Sequence, residues 1–392
     1  MKILSVNAGS SSLKFQMYEM PEEKVLISGV FERIGIGNSF YTIKLNGEKI
    51  KKERELSNHE EAVKILTDEL LENKVVSSLN EIEAIGHRMV HGGDKYQKST
   101  IINDEVIRDS EALIELAPIH IPANLTGVRA FQKIIKDATP VAVFDTSFHQ
   151  TLPKEAYIYS VPYEWYEKYG VRKYGFHGTS HKYVSMRMNE ILGRDDTKII
   201  TCHIGSGGSV SAVLNGKSID TSLGFTPNSG IMMGTRSGDI DSSIIPFIVK
   251  EAGLSLSEVD NILNKKSGLL GVSKKYSDSR DIENGIKNGD ELCILAQEIY
   301  VRKIVEYIAK YYVLLGGCDA IVMTAGVGEN SINTRKQIIE KLSVLGIELD
   351  EERNNIRGEE AKITKDSSKV PVWVIPTDEE LMIARDTYNL TK

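Results

Sequence analysis

One short pattern occurs twice in this chain and constrains its fold more than any other feature. An apolar run, a turn of small polar residues and a second alternating run fill residues 3–18, with the turn Asn7-Ala8-Gly9-Ser10-Ser11-Ser12. The same order fills residues 199–214, with the turn His203-Ile204-Gly205-Ser206-Gly207-Gly208. Each reads as strand, tight turn, strand, and a third strand is expected near residues 25–30 in the first case and 218–221 in the second. With Gly9-Ser10 set on Gly205-Ser206, the pattern predicts a duplication in which each half opens with a β-hairpin whose turn faces a shared cleft. Two unrelated hairpins are the other reading.

Between and after the hairpins, helical and strand spacing alternate. Ala62, Val63, Leu66, Leu70 and Leu71 have helical spacing, and residues 82–85 and 141–144 are short buried-strand candidates. Later, Val301, Ile304, Val305, Ile308 and Tyr312 mark one face of a helix. A strand over 319–324 then runs into the glycine-rich segment Ala325-Gly326-Val327-Gly328-Glu329-Asn330, with a helix expected from Ser331 onward. This alternation is an α/β pattern. A chain of 392 residues exceeds the size at which one core stops growing, so two domains are expected. No linker rich in Pro, Gly or Ser separates them, and the boundary near residue 150 follows from the repeat.

Composition narrows the function classes. A formal net charge of -7 gives no general attraction for nucleic acid, so an anionic substrate needs a local cluster of Arg and Lys. No apolar run approaches the ~20 residues of a membrane span. The opening Lys2-Ile3-Leu4-Ser5-Val6 reads as strand and lacks an h-region and cleavage site, so export is not expected. Cys202, Cys293 and Cys318 form no CxxC pair and suit a reducing, cytoplasmic setting.

Neither the GxxxxGK[ST] run nor a strand-GxGxxG-helix fingerprint is present. Three glycine-rich turns remain, each directly after an apolar strand, at residues 7–12, 203–208 and 326–330. Successive backbone N–H groups in such turns cradle phosphate oxygens. Two arginines sit beside glycines, Arg88 in Gly86-His87-Arg88-Met89-Val90-His91-Gly92-Gly93 and Arg236 in Gly234-Thr235-Arg236-Ser237-Gly238-Asp239. They read either as an anion clamp or, for Arg236, as a partner of Asp239 or Asp241. His87/His91 and His177/His181 have i, i+4 spacing, but no HExxH occurs and zinc is disfavoured. His177, next to Gly178, reads as a hydrogen-bond donor, and Asp145 either as a metal- or substrate-orienting acid or as a helix N-cap.

Taken together, NAGSSSLKF, GHRMVHGG, LAPIHIPAN, VFDTSFH, YGFHGTSH, MMGTRSGDID, TAGVGENS and PTDEELMIAR fall in the order and spacing of the acetokinase family and span essentially the whole chain. The chain therefore resembles that family, within the acetate and sugar kinase, Hsp70 and actin superfamily. The resemblance implies a duplicated actin-like, ribonuclease H-like α/β fold of two domains with a nucleotide cleft between them. Residues 1–149 and a final helix at about 382–392 would form one domain and residues 150–381 the other. It implies Mg2+, with Mn2+ as the alternative ion, held by Asn7 and Glu379. ATP or ADP would meet Ser10, Ser12 and Lys14, together with His203, Ile204, Gly205, Ser206, Gly207, Asp278, Ser279, Arg280, Gly326, Val327, Gly328, Glu329 and Asn330. Arg88 would bind the substrate carboxylate or its phosphate, Asp145 would be the active-site acid, and His177 with Arg236 would stabilise the transition state. Val90, Ile119, Phe176 and Pro227, near the motif histidine His120, would wall the acid's methyl group. The family is dimeric, so a homodimer is implied.

The implied activity is reversible transfer of the ATP γ-phosphoryl group to acetate, with propionate or another short carboxylate as the nearest alternative. The chemistry agrees: a carboxylate of pKa roughly 4 to 5 is ionised at neutral pH and needs no strong base. The difficulty is bringing one anion onto another, which cations solve. An actin- or Hsp70-like ATPase shares the fold but needs no second arginine and no apolar acid pocket. Three positions depart from the family pattern: Ser206 for Asn, Ile121 for Asn, and Asn228-Ser229 for a Leu-Glu pair.

Overall fold

A computed structural model describes all residues from Met1 to Lys392. The chain divides into two compact units, residues 1–148 with 378–392, and residues 149–377. The returning C-terminal segment enters the first unit at Asp378, earlier than the expected 382, because Asp378 is the N-cap of the last helix, Glu379–Thr391.

The first unit runs β1 (Lys2–Ala8), β2 (Ser12–Glu19), β3 (Lys24–Glu32), β4 (Phe40–Leu45), β5 (Glu48–Glu53), α1 (His59–Glu72), β6 (Ile82–Met89), β7 (Thr100–Ile101), α2 (Asp104–Ala112), α3 (His120–Ile134) and β8 (Thr139–Phe144). Its eight strands order as β5-β4-β3-β2-β1-β6-β8-β7. On β2, Leu13, Phe15 and Met17 turn inward and Lys14 outward, the period-2 alternation of a half-buried strand. The inward set packs with Phe31, Leu66 and Phe131 in one core. Helix α1 begins where Asn58 Oδ1 accepts the Glu61 N–H at 3.0 Å.

The second unit runs α4 (Lys154–Tyr157), α5 (Glu164–Tyr169), α6 (Gly178–Leu192), β9 (Lys198–Ile204), β10 (Gly208–Leu214), β11 (Lys217–Thr221), α7 (Ile244–Ala252), α8 (Leu256–Lys265), α9 (Gly268–Ser273), α10 (Ser279–Lys287), α11 (Glu291–Leu314), β12 (Ala320–Thr324), α12 (Ala325–Asn330), α13 (Ile332–Lys341), β13 (Ala361–Lys362) and β14 (Val372–Val374). Its six strands order as β11-β10-β9-β12-β14-β13. Helix α11 lays Val301, Ile304, Ile308 and Tyr311 into the core, and the expected Val305 and Tyr312 pack against it, half-buried.

Both sheets share one plan. In the first unit β1 pairs antiparallel with β2, β2 antiparallel with β3, and β1 parallel with β6, which is parallel to β8. In the second, β9 pairs antiparallel with β10, β10 antiparallel with β11, and β9 parallel with β12, which is parallel to β14. The duplicated hairpin is thus the visible part of a duplicated five-strand sheet, the actin-like arrangement. Two local expectations fail. His203 and Ile204 belong to strand β9 rather than to the turn, and residues 325–330 form helix α12 instead of a glycine-rich turn.

The last helix closes the first sheet: Ile383 packs on Val141 and Val143, and it leaves no room above β6 at Gly86. A Cβ there would meet Thr387 Oγ1 at 2.3 Å and Ile383 Cγ2 at 2.5 Å, both on fully buried side chains. Gly86→Ala should therefore destabilise the protein by about 1–3 kcal/mol through overpacking, read as a lower urea midpoint at unchanged m-value.

Candidate functional site

In the first unit, the turn between β1 and β2 is fixed by its backbone. The Gly9 N–H donates to Ser12 O at 2.9 Å, and the Ile34 N–H donates to Ser11 O at 2.9 Å. Buried His59, at the start of α1, brings Nε2 within 2.7 Å of Gly9 O and so carries its proton there. Sequence reasoning missed His59, since nothing local links it to a turn fifty residues upstream. Asn7 and Lys14 are cross-strand partners, and Lys14 Nζ lies 2.5 Å from Glu380 Oε1.

Arg88 is the penultimate residue of β6, and Asp145 follows the end of parallel β8. The two form a bidentate pair, with Arg88 Nε donating to Oδ1 at 2.9 Å and Nη2 to Oδ2 at 2.6 Å. Asp145 is therefore no helix N-cap. Burial pulls against the Arg88 charge, but Asp145, with Glu379 and Glu380 further off, holds its pKa above the ordinary arginine value. Asn124, also unforeseen, ties the two strand ends together: its Oδ1 accepts the Val90 N–H at 3.0 Å and its Nδ2 donates to Ala8 O at 2.9 Å.

Glu379 opens the last helix, and its Oε1 is buried with no hydrogen-bond partner. Burial raises its pKa to about 7; Arg88 pulls it down, and Asp145 and Glu380 push it further up. No group of three or more His, Cys, Asp or Glu is arranged to hold a metal ion. A lone unsatisfied carboxylate oxygen does suit Mg2+, which takes one or two protein oxygens and fills its shell with water and phosphate. Of the expected apolar wall in this unit, Val90 is buried, whereas Ile119 is 51% exposed and His120 is exposed too, because both sit at the solvent-facing start of α3.

In the second unit, His177 precedes helix α6 in the left-handed region, at φ 56°, between Gly175 and Gly178. Such a backbone is uncommon for a residue with a Cβ. The ring stacks on His203 at 4.2 Å between centroids, and its Nδ1 is 2.9 Å from Ser209 Oγ. Gly207 lies beside it. A Cβ on Gly207 would be 3.0 Å from Arg236 Nη2 and 3.5 Å from His177 Nε2, so both polar atoms lie against the turn at this residue.

Arg236 donates Nη1–H to Pro227 O at 2.6 Å and has no carboxylate partner. Asp239 is taken by the Gly230 N–H at 2.7 Å and by the Tyr307 hydroxyl, and Asp241 by the Ser243 N–H at 2.9 Å. The expected alternative pairing of Arg236 is thereby replaced. Burial depresses its pKa, yet a guanidinium remains charged in proteins.

A cavity of about 310 Å³ opens next to the same turn. Gly205, Ser206, Asp278, Ser279, Arg280, Gly326, Val327 and Asn330 line it, as expected from sequence. Leu269, Ser277, Glu283, Tyr300, Ser331 and Arg357 also line it and were not foreseen, being brought in by α9, α10, α11 and a distant loop. His203, Ile204, Gly207, Gly328 and Glu329 do not line it. Ile204 is fully buried in β9, and Glu329 Oε1 instead accepts the Ala325 N–H at 2.8 Å and the Thr377 N–H at 3.1 Å, fixing the start of α12. Asp278 caps α10 and holds Arg280 through Nε at 3.0 Å and Nη2 at 2.6 Å, which lowers the Asp278 pKa. Phe176 is buried and Pro227 half-buried.

The raised pKa of Glu379 has a stability consequence. A carboxyl that holds its proton more tightly when folded stabilises the fold fully below its unfolded pKa, and that contribution is lost as pH rises through the folded pKa of about 7. Glu379→Gln removes the charge, so at pH 8 the metal-free variant should melt a few degrees above the metal-free parent. At pH 5 the two should nearly coincide. Equal melting temperatures at pH 8, by calorimetry, would contradict the buried, unsatisfied carboxylate.

The family profile described as "Acetokinase family" matches residues 2–385. An acetate kinase of Bacillus velezensis is 53% identical over 393 residues, covering 100% of both chains. One of Bacillus subtilis is 52% identical with the same coverage. Among solved structures, an acetate kinase of Porphyromonas gingivalis superposes with a TM-score of 0.93 at 47% identity and 100% coverage of both chains. A propionate kinase of Francisella tularensis does so at 0.94 and 43%, covering 99% of each. With a profile that runs nearly end to end and relatives more than half identical, the chain belongs to the acetokinase family.

Proposed function

We propose that the chain catalyses reversible transfer of the γ-phosphoryl group of ATP to acetate, giving acetyl phosphate and ADP by direct in-line displacement. The observation that carries this reading is Arg236: a half-buried guanidinium without a carboxylate, converging with His177 on a glycine turn next to a nucleotide-sized cavity. A partly desolvated cation with no counter-charge in the protein is completed by an anion. The full-length relatives named acetate kinases support acetate as the acid. The propionate kinase likeness makes propionate the second reading.

The residues divide the work by charge. Arg88 spends Nε and one Nη2 hydrogen on Asp145, which leaves its remaining N–H groups for an acid's carboxylate or phosphate. Asp145 acts by orienting Arg88, since an ionised acid substrate has no proton to give up. Arg236 and the His177 ring stabilise charge on the transferring group, and Lys14 with the turn at Ser10 and Ser12 meets phosphate oxygens. Asn7 and Glu379 would hold Mg2+, which when bound neutralises phosphate charge. Val90, Ile119, Phe176 and Pro227 would limit the acyl chain, with His120 close to the acid. The homodimer and the cytoplasmic setting implied by the family resemblance belong to the same reading, and the three free cysteines suit a reducing compartment.

A hydroxamate assay of acyl phosphate formation with Mg-ATP tests the assignment. Acetate should be preferred, propionate used more slowly and butyrate poorly, since one methylene changes binding by only ~1 to 3 kcal/mol unless a wall excludes it. Equal kcat/KM for butyrate and acetate would show the wall misassigned. ATP turnover independent of any acid would point to an ATPase instead.

Arg236→Ala should lower kcat at least about a hundredfold with a smaller change in ATP KM, because a charge matched to the transition state acts mainly there. A loss confined to KM would contradict the role. Activity should vanish in EDTA and return with Mg2+ or Mn2+; restoration by zinc alone would rule out the oxygen-ligand site.

A further inference from the structure

Behind His177 the second unit packs a chain of buried rings and hydroxyls that the reaction scheme does not use. Ser209, on β10 and fully buried, brings its Oγ within 2.9 Å of His177 Nδ1 and 2.7 Å of His181 Nε2. His181, one turn into α6 and also fully buried, has its Nδ1 at 2.7 Å from Thr201 Oγ1 on β9. Burial, reinforced by His149 and His203, holds the His181 pKa well below the usual imidazole value, so the ring is neutral and carries one N–H.

The direction of this chain follows from proton counting. A serine hydroxyl has one proton, so Ser209 donates to one ring and accepts from the other. The side chain of Thr201 is fully buried, and His181 Nδ1 is its partner. If His181 carried its proton on Nδ1, Thr201 would accept it and its own O–H would be left without an acceptor, at a cost of about 1–3 kcal/mol. With the opposite sense every proton is used. Thr201 Oγ–H donates to His181 Nδ1, His181 Nε2–H donates to Ser209 Oγ, and Ser209 Oγ–H donates to His177 Nδ1.

We infer that Ser209, oriented by His181 and Thr201, is a positioning residue that holds His177 in the tautomer with its proton on Nε2, the atom that shares the Gly207 turn with Arg236 Nη2. This rests on the proposed role of His177 toward the transferring phosphoryl group. The i, i+4 histidine pair thereby gains a reason other than metal: His181 is the inner member of a relay whose outer member meets the substrate. The relay also accounts for the left-handed backbone at His177, which turns the ring so that Nδ1 looks inward to Ser209 and Nε2 outward to the turn.

The test combines kinetics with histidine ring 15N spectra of the intact protein. In the parent, His177 should show a protonated Nε2 and a bare Nδ1. Ser209→Ala should give a tautomer mixture and lower kcat roughly ten- to a hundredfold, with ATP KM within about threefold, as expected for lost orientation at a reacting centre. Thr201→Val, which keeps shape and removes the hydroxyl, should move both readouts in the same direction by less, and serves if the serine variant fails to fold. An Nδ1–H tautomer in the parent, or a folded Ser209→Ala variant with parental kcat, would overturn the relay. His177→Ala separates the two levels. If that variant is inactive while Ser209→Ala is normal, the relay alone falls; if it retains full activity, the role of His177 in the reaction falls with it.

Discussion

Arg236 is a half-buried cation whose protein acceptor is a carbonyl, and the loop around it leaves that charge without a counter-ion. Such a group gains from any anion that reaches it. The obvious partners are occupied, Asp239 by Gly230 and Tyr307 and Asp241 by Ser243. The loop is also too tight to rearrange cheaply. Gly238, at φ 70°, has Gly230 O and Ile231 backbone atoms so close that a Cβ would lie 2.6 to 2.7 Å from them. The arginine is held in place without being neutralised, which is the preorganised state that electrostatic catalysis requires.

The first unit has the opposite imbalance. Its arginine is compensated, since Arg88 and Asp145 form a bidentate pair, and the group left short is a carboxylate, Glu379. Desolvation lifts Glu379 to about 7, at the margin where either a proton or a cation can satisfy it. An uncompensated guanidinium suits a phosphoryl group, and an uncompensated carboxylate suits a divalent ion.

How much of this could be read from the sequence depends on the range of the interaction. The hairpins, helix α1 and strands β6 and β8 follow from local periodicity, and β1-β2 and β9-β10 fall where the repeat puts them. The residues 325–330 misled because glycine content signals a turn, while Glu329 reaching back to the Ala325 N–H supplies the cap that lets a glycine-rich segment wind. Pairings between distant residues carried no local signal. Arg88 stands out locally between its glycines, but its bond to Asp145 does not, because the two meet only when β6 and β8 lie side by side. The cavity was half legible: its loop residues have motifs, whereas Tyr300 and Glu283 come from helices whose sequence speaks only of packing. Ile119 is apolar by type, and its exposure at the start of α3 carried no local signal either.

Ser206 is the departure from the family pattern nearest the cavity, and the backbone shows why the turn can do without a longer side chain there. The Gly205 N–H donates to Gly207 O at 2.9 Å, and the Gly234 N–H donates to Ser206 O at 3.0 Å. The turn is therefore shaped by main-chain bonds within itself and to the loop that carries Arg236, and neither bond depends on what residue 206 presents beyond its Cβ. A side chain at this position can add at most a hydrogen bond to a charged phosphate, worth about 1.5–3 kcal/mol, while the convergence of Gly207, His177 and Arg236 is untouched. Under the proposed reaction, variation at 206 would bear on nucleotide affinity and leave the backbone of the turn unchanged.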